Sequence, residues 1–170
     1  MFLDRLLAKN PVRAAARRLH AAAAAQGRTP ALYLDMGAPD TIEGRFEMLT
    51  LHVILLVDRL KDTPAAEDLR QALFDVYLRD LDGALREMGV GDLSVGKKMR
   101  KLGEAFYGRA RAYDTAFKAL PDLEALSEVV SRTALADADG APLAAYVARM
   151  RQALAAQDIA ALVAGDVSWS

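Results

Sequence analysis

The chain is 170 residues long, with 53% apolar and 26% charged residues, a length and balance suited to one globular domain with a real core. Its net charge of −1 excludes a molecule built as a whole to coat nucleic acid. Cysteine is absent and the only histidines are His20 and His52, which excludes disulfides, thiolate metal sites, cysteine nucleophiles and histidine-rich metal centres.

Residues 1–28 carry six basic residues against one acid, the charge bias of an amphipathic targeting segment. The stretch has no serine and holds Asp4 near its start, so it is read as a mature N-terminal helix. Over residues 12–26 the alanine-rich composition favours helix by propensity, and Ala21 to Ala25 would allow close helix packing. "TPALYLDMGAPD" reads as a break punctuated by Pro30, Gly37 and Pro39. Asp40, with Glu43 three residues on, predicts a capping box for the next helix.

In that helix Ile42, Phe46, Leu49, Val53, Leu56 and Leu60 recur at intervals of three and four. Its other faces are also apolar ("MLTLHVILLV"), which places it at the centre of the fold. The longest apolar run, residues 48–57, falls short of the roughly 18–20 residues that span a bilayer, and Thr50 and His52 interrupt it.

Asp62-Thr63-Pro64 ends this helix and begins another, with Pro64 in the first turn and Leu69, Leu73, Val76, Ala84 and Met88 as its stripe. "MGVGD" breaks the chain again, and Ser94 is a candidate cap for a long helix. There Val95, Met99, Leu102, Phe106, Tyr113, Phe117 and Leu120 keep a helical rhythm for about seven turns, until Pro121. Two more helices are predicted near 122–136 and 142–156, separated by "DADGAP", and an apolar tail reaches Trp169, placed to cover an edge of the core. Strand signal is weak and no internal repeat is evident. The expectation is an all-α single-domain bundle of about six to seven helices over residues 1–170.

"VGDLSVGKK", residues 90–98, has Gly91, Gly96 and Lys97 at the spacing of a phosphate-binding loop. The segment before it, "LRDLDGALREM", is helical in pattern, and Lys98 stands where a magnesium-binding Ser or Thr belongs. With no strand to feed the loop, the glycines read as a turn between helices. Asp75, Asp80, Asp82 and Glu87 are spaced five, two and five apart and do not converge on one face, with no histidine or nucleophile near in sequence. No catalytic residue, metal site or cofactor is expected. His52 reads as a hydrogen-bonded core residue, and Met36, Met48, Met88 and Met99 as core fillers.

Charge is unevenly placed. Between Leu93 and Arg111 stand six bases, Lys97, Lys98, Arg100, Lys101, Arg109 and Arg111, and one acid, Glu104. Residues 67–92 hold seven acids and three bases, so the facing edges of two adjacent helices would attract. The basic segment is either a solvated face with interhelical pairs or a docking surface for RNA or ribosome, anionic lipid or an acidic protein. Phe106 fits the core stripe, which leaves Tyr107 as the aromatic expected at the surface.

Three segments in order, "LYLDMGAPDTIEGRFEMLTLHVILLVDRL", "DLDGALREMGVGDLSVGKKM" and "AFYGRARAY", resemble the ubiquinol–cytochrome c chaperone family, assembly factors for the cytochrome bc1 complex in mitochondria and α-proteobacteria. The resemblance covers residues 14–120, with 121–170 less distinctive. Carried over by position, the family's upstream motif falls on Pro39, Asp40, Gly44, Arg45 and Phe46. Its central motif falls on Asp80, Asp82, Arg86, Glu87, Gly89, Gly91, Asp92, Lys97, Lys98, Phe106, Tyr107, Gly108 and Arg109. His20 stands where an aromatic is expected, and the composition favours a bacterial-type member.

What the resemblance implies is a helical chaperone without cofactor or catalysis. Mitochondrial relatives bind newly made cytochrome b at the ribosomal tunnel exit together with a small helical partner protein. The expected partners are therefore cytochrome b or other bc1 subunits, a ribosome or anionic membrane surface, and such a helical partner, with no DNA and no small-molecule substrate. The expected location is cytoplasmic, peripheral on the inner membrane. Such a helper needs an apolar groove with a basic rim, and residues 94–118 are expected to form one wall of it. Lys97, Lys98, Arg100, Lys101, Tyr107, Arg109 and Arg111 are the expected partner- or client-binding residues. The alternative is a ribosome- or RNA-binding module acting through the same basic helix.

Overall fold

A helix that is apolar on most of its faces is stable in water only when wrapped by others, and the fold is arranged around one such helix. The computed structural model describes residues 2–170, with side chains described from residue 11 onward, so the reading of Asp4 lies outside the described side chains. In chain order the helices are α1 (Phe2–Gln26), α2 (Pro30–Leu34), α3 (Ile42–Leu60), α4 (Glu67–Glu87), α5 (Asp92–Phe117), α6 (Glu124–Ala134), α7 (Ala141–Ala156) and α8 (Ile159–Ala164). A 3-10 turn, Pro64–Ala66, leads into α4, and no strand occurs among the described residues. The single all-helical domain expected from the periodicity is what forms.

α3 is the axis. Leu51, Val53, Ile54, Leu55 and Leu56 are all buried, and α1, α4, α5, α6 and α7 pack against it. α1 lies along α4 and α3 through Ala15, Ala16, Leu19 and Ala23, the alanines letting the helices approach closely.

Four local expectations are corrected. The proline-punctuated stretch after α1 contains α2, with Pro30 in its first turn and Leu32 fully buried; here proline starts a helix instead of breaking one. The cap of α3 is Thr41, one residue later than expected, and its hydroxyl accepts from Gly44 N at 3.1 Å. α5 begins at Asp92 with Gly91 as its cap, so Ser94 is an exposed residue of the first turn. The tail folds into α8, capped by Asp158, which accepts from Ala160 N at 3.0 Å, and ended by Gly165.

Geometry dictates glycine at several positions, two of them in the motif segments. At Gly44 a Cβ would stand 1.9 Å from the Pro39 carbonyl oxygen, so only glycine lets the chain before α3 fold back onto it. Gly89 has φ +83° and closes α4, with Gly89 N bonding Arg86 O at 2.9 Å and Val90 N bonding Leu85 O at 3.0 Å, a Schellman ending.

Buried polar groups tie the helices together. His52 is fully buried; Nδ1 lies 2.7 Å from Met48 O and Nε2 2.7 Å from Tyr146 Oη, which accepts from Gln26 Nε2 at 2.9 Å. A carbonyl can only accept, so Nδ1 carries the proton and Nε2 accepts from the tyrosine. The chain of bonds links α3, α7 and α1. Trp169 stands edge-on to His52, ring centres 5.2 Å apart, and the Gln157 side chain clasps the Ser168 backbone at 2.6 and 2.9 Å. The tail thus does cover an edge of the core. Near the C-terminal end of α3, Asp58 receives Lys61 at 2.7 Å and Arg151 of α7 at 2.8 Å, while Lys61 reaches Asp114 of α5 at 2.6 Å.

Candidate docking surface on the basic helix

α5 is amphipathic along its whole length. Val95, Phe106, Tyr113, Ala116 and Phe117 face the core. On the opposite side Leu93, Lys97, Arg100, Lys101, Glu104, Tyr107 and Arg111 follow at helical spacing, all exposed. Among the described residues Lys97, Lys98, Arg100, Lys101 and Arg111 take part in no ion pair. The expected attraction between acidic α4 and basic α5 is confined to the turn, and there its sign is reversed. Arg86 of α4 bonds Asp82 on its own helix at 2.7 Å and Asp92 at the start of α5. Lys97, Lys98, Arg100, Lys101 and Arg111 are left facing water.

Arg109 differs from its neighbours. Its guanidinium forks onto Glu47 of α3, with Nε at 2.8 Å, and lies over the Phe46 ring at 6.0 Å. Burial pushes the Glu47 carboxyl above its ordinary pKa, and the Arg109 guanidinium pulls it back. Of the expected partner-binding residues, Arg109 is thus committed to an internal bond. Tyr107 is 54% exposed, its ring 5.1 Å from Phe74 and edge-on to Phe106 at 5.9 Å. These three rings, with Val57, Arg70 and Gln71, line a shallow pocket of about 280 Å³ between α3, α4 and α5.

The motif residues do not converge on one cleft. Pro39 and Gly44 make the tight entry to α3, Asp40 and Arg45 pair at 2.7 Å, and Phe46 supports Arg109. Asp82, Arg86, Gly89, Gly91 and Asp92 build the α4–α5 turn. Asp80 stands 3.8 Å from His20 of α1, Phe106 is core, and Glu87 and Gly108 are exposed.

Two of the exposed apolar side chains are ones that periodicity misplaced. Met88 and Ile42, read as stripe residues, are 55% and 67% exposed because each sits at a helix end, past the packed face. Leu93 is 101% exposed and Leu34 80%. A helical projection of α5 would have shown Leu93 on the cation face. Met48 is a core filler, whereas Met36 and Met99 are half-buried at its margin.

Residues 90–98 are fed by α4 instead of a strand, which removes the structural basis of a phosphate loop. Among the described residues no three potential metal ligands come together, and no helix is long and apolar enough to cross a membrane.

The family model for ubiquinol-cytochrome C chaperone matches residues 34–169. The matched region thus includes α6, α7 and α8, beyond the 14–120 stretch in which the sequence motifs lie. The crystal structure of the Cbp3 homolog from Brucella abortus is 36% identical, over 100% of this chain and 97% of that one, with a TM-score of 0.86. No curated protein matches the sequence at a significant level. The chain therefore belongs to the ubiquinol-cytochrome c chaperone family.

Proposed function

We propose that the chain assists assembly of the cytochrome bc1 complex by holding newly made apolar segments of cytochrome b, without catalysis and without a cofactor. Its family membership over most of its length is the observation that carries this reading. The client would lie along α5, with Tyr107 and the half-buried Phe74 as the apolar contact and Lys97, Lys98, Arg100, Lys101 and Arg111 as the basic rim. A polytopic client asks for apolar contact beside charge that keeps the helper in water. In this reading the protein works in the cytoplasm, peripheral to the inner membrane, with other bc1 subunits or a small helical protein as further partners.

The row of exposed cations on α5 favours a second reading, a ribosome- or RNA-binding module acting through residues 94–118. Salt separates the two. Tagged protein is used to retain partners from gently solubilised cells at low and at high salt. Retention of cytochrome b or other bc1 subunits at high salt, lost in Tyr107→Ser, is the expected result. Ribosomal components alone, released as salt rises, would replace the chaperone reading with the electrostatic one.

A further inference from the structure

The turn between α4 and α5 ends in two apolar side chains standing in water. Met88, the last residue of α4's cap, is 55% exposed and Leu93, in the first turn of α5, is fully so. Their exposure is built in. The Schellman ending at Gly89 fixes the turn, Gly91 O accepts from Ser94 N at 2.9 Å and Val95 N at 3.1 Å, and Arg86 ties Asp92 to α4. Lys97, Lys98, Arg100 and Lys101 follow Leu93 by four to eight residues, all exposed. At about 1.5 Å of rise per residue they stand roughly 6–12 Å behind it along the helix axis.

We infer that this tip is a membrane-docking element. Leu93 and Met88 enter the boundary between headgroups and acyl chains of an anionic bilayer, and the four cations behind them bind the lipid phosphates. Aliphatic stems let lysine and arginine stay at headgroup level while the apolar tip goes deeper. Between residues 86 and 101 five cations face two acids, Glu87 and Asp92, and Arg86 bonds the second of these. The charge of the tip therefore complements anionic lipid. RNA explains the cations but leaves Leu93 and Met88 in water, since neither has a ring on which a base can stack. The inference rests on the peripheral-membrane part of the proposed function, for which it names the docking surface, and stands whichever subunit the protein holds.

The test is flotation of the full-length protein with phosphatidylcholine vesicles, with and without about 30% phosphatidylglycerol. Wild type is expected to float with the anionic vesicles only. Each cation near such a surface contributes about fivefold, so reversing Lys97, Lys98, Arg100 and Lys101 to glutamate is expected to lower partitioning at least about a hundredfold. Met88→Ser with Leu93→Ser is expected to lower it about tenfold at unchanged net charge. All six residues are exposed, and an unaltered melting curve in circular dichroism confirms that the variants fold. Equal binding to neutral and anionic vesicles would overturn the inference. So would full binding by the serine variant, or tighter binding of wild type to a ribosomal RNA fragment than to vesicles. Tyr107 is not among these six residues, so loss of bc1 subunits in Tyr107→Ser tests the client reading separately.

Discussion

Acid should weaken this bundle from its interior, through His52. The imidazole is fully buried, and in its neutral form both ring nitrogens are satisfied, by Met48 O and Tyr146 Oη. Burial lowers its pKa from 6.5 to about 4, with the Met48 bond opposing. The folded pKa lies below the unfolded one, so the stability this group contributes is present above about pH 6.5 and is lost as pH falls towards 4. Each unit is about 1.4 kcal/mol, so the loss between neutral pH and pH 4 approaches about 3 kcal/mol. That is a large part of the ~5–15 kcal/mol by which domains are usually stable. The assay is urea unfolding followed by circular dichroism, from about pH 7 to about pH 4.5, for wild type and His52→Gln. Glutamine can both donate and accept but does not titrate. His20, whose pKa burial also lowers, and Glu47 remain in both proteins, so the difference between the two curves isolates His52. His52→Gln is expected to start about 1–3 kcal/mol less stable at neutral pH and to lose much less on acidification. Parallel curves would refute the assignment of a buried neutral imidazole.

Three further outcomes are expected. Gly44→Ala would drive a methyl group into the Pro39 carbonyl and lower stability by about 2 kcal/mol or more, whereas Gly103→Ala, where a Cβ meets nothing, should raise it by up to about 1 kcal/mol; thermal unfolding of the pair reads both signs. Arg109→Ala leaves the largely buried Glu47 carboxylate without its partner and should cost about 2 kcal/mol, discounted for the residual exposure of both side chains; adding Glu47→Gln should restore part of it in denaturant titration. Thr50→Val removes the acceptor 2.9 Å from the buried Tyr77 hydroxyl and should cost about 1–2 kcal/mol in the same titration.

Long-range periodicity in the sequence was a sound guide to this fold, and end effects were not. The α3 stripe, the α5 rhythm and the alanine face of α1 each repeat over several turns, so the burial they imply survives local exceptions. α2 and α8 have only five and six residues, too few for a period to show, and they are held by Leu32 and Leu162 in the core rather than by propensity. The basic face was legible because the charges of α5 cluster in sequence. The commitment of Arg109 was not, since Glu47 is 62 residues away and only tertiary packing brings it there. For the same reason the motif segments could be recognised as a family while their geometry, two separate turns instead of one cleft, could not be read from their order.

Trp169 is the chain's sole tryptophan, which gives the clasp between Gln157 and the tail an optical consequence. Tryptophan emission, excited beyond the absorption band of the tyrosines, reports one seam, where the tail meets His52 between α3 and α7, and says little about α5. If the tail peels away before the bundle melts, the emission will shift to the red while the helical signal is still whole. Titrations of partners or vesicles against α5 should leave that emission undisturbed, so a fluorescence change on adding either would mean that the binding event reaches across the core.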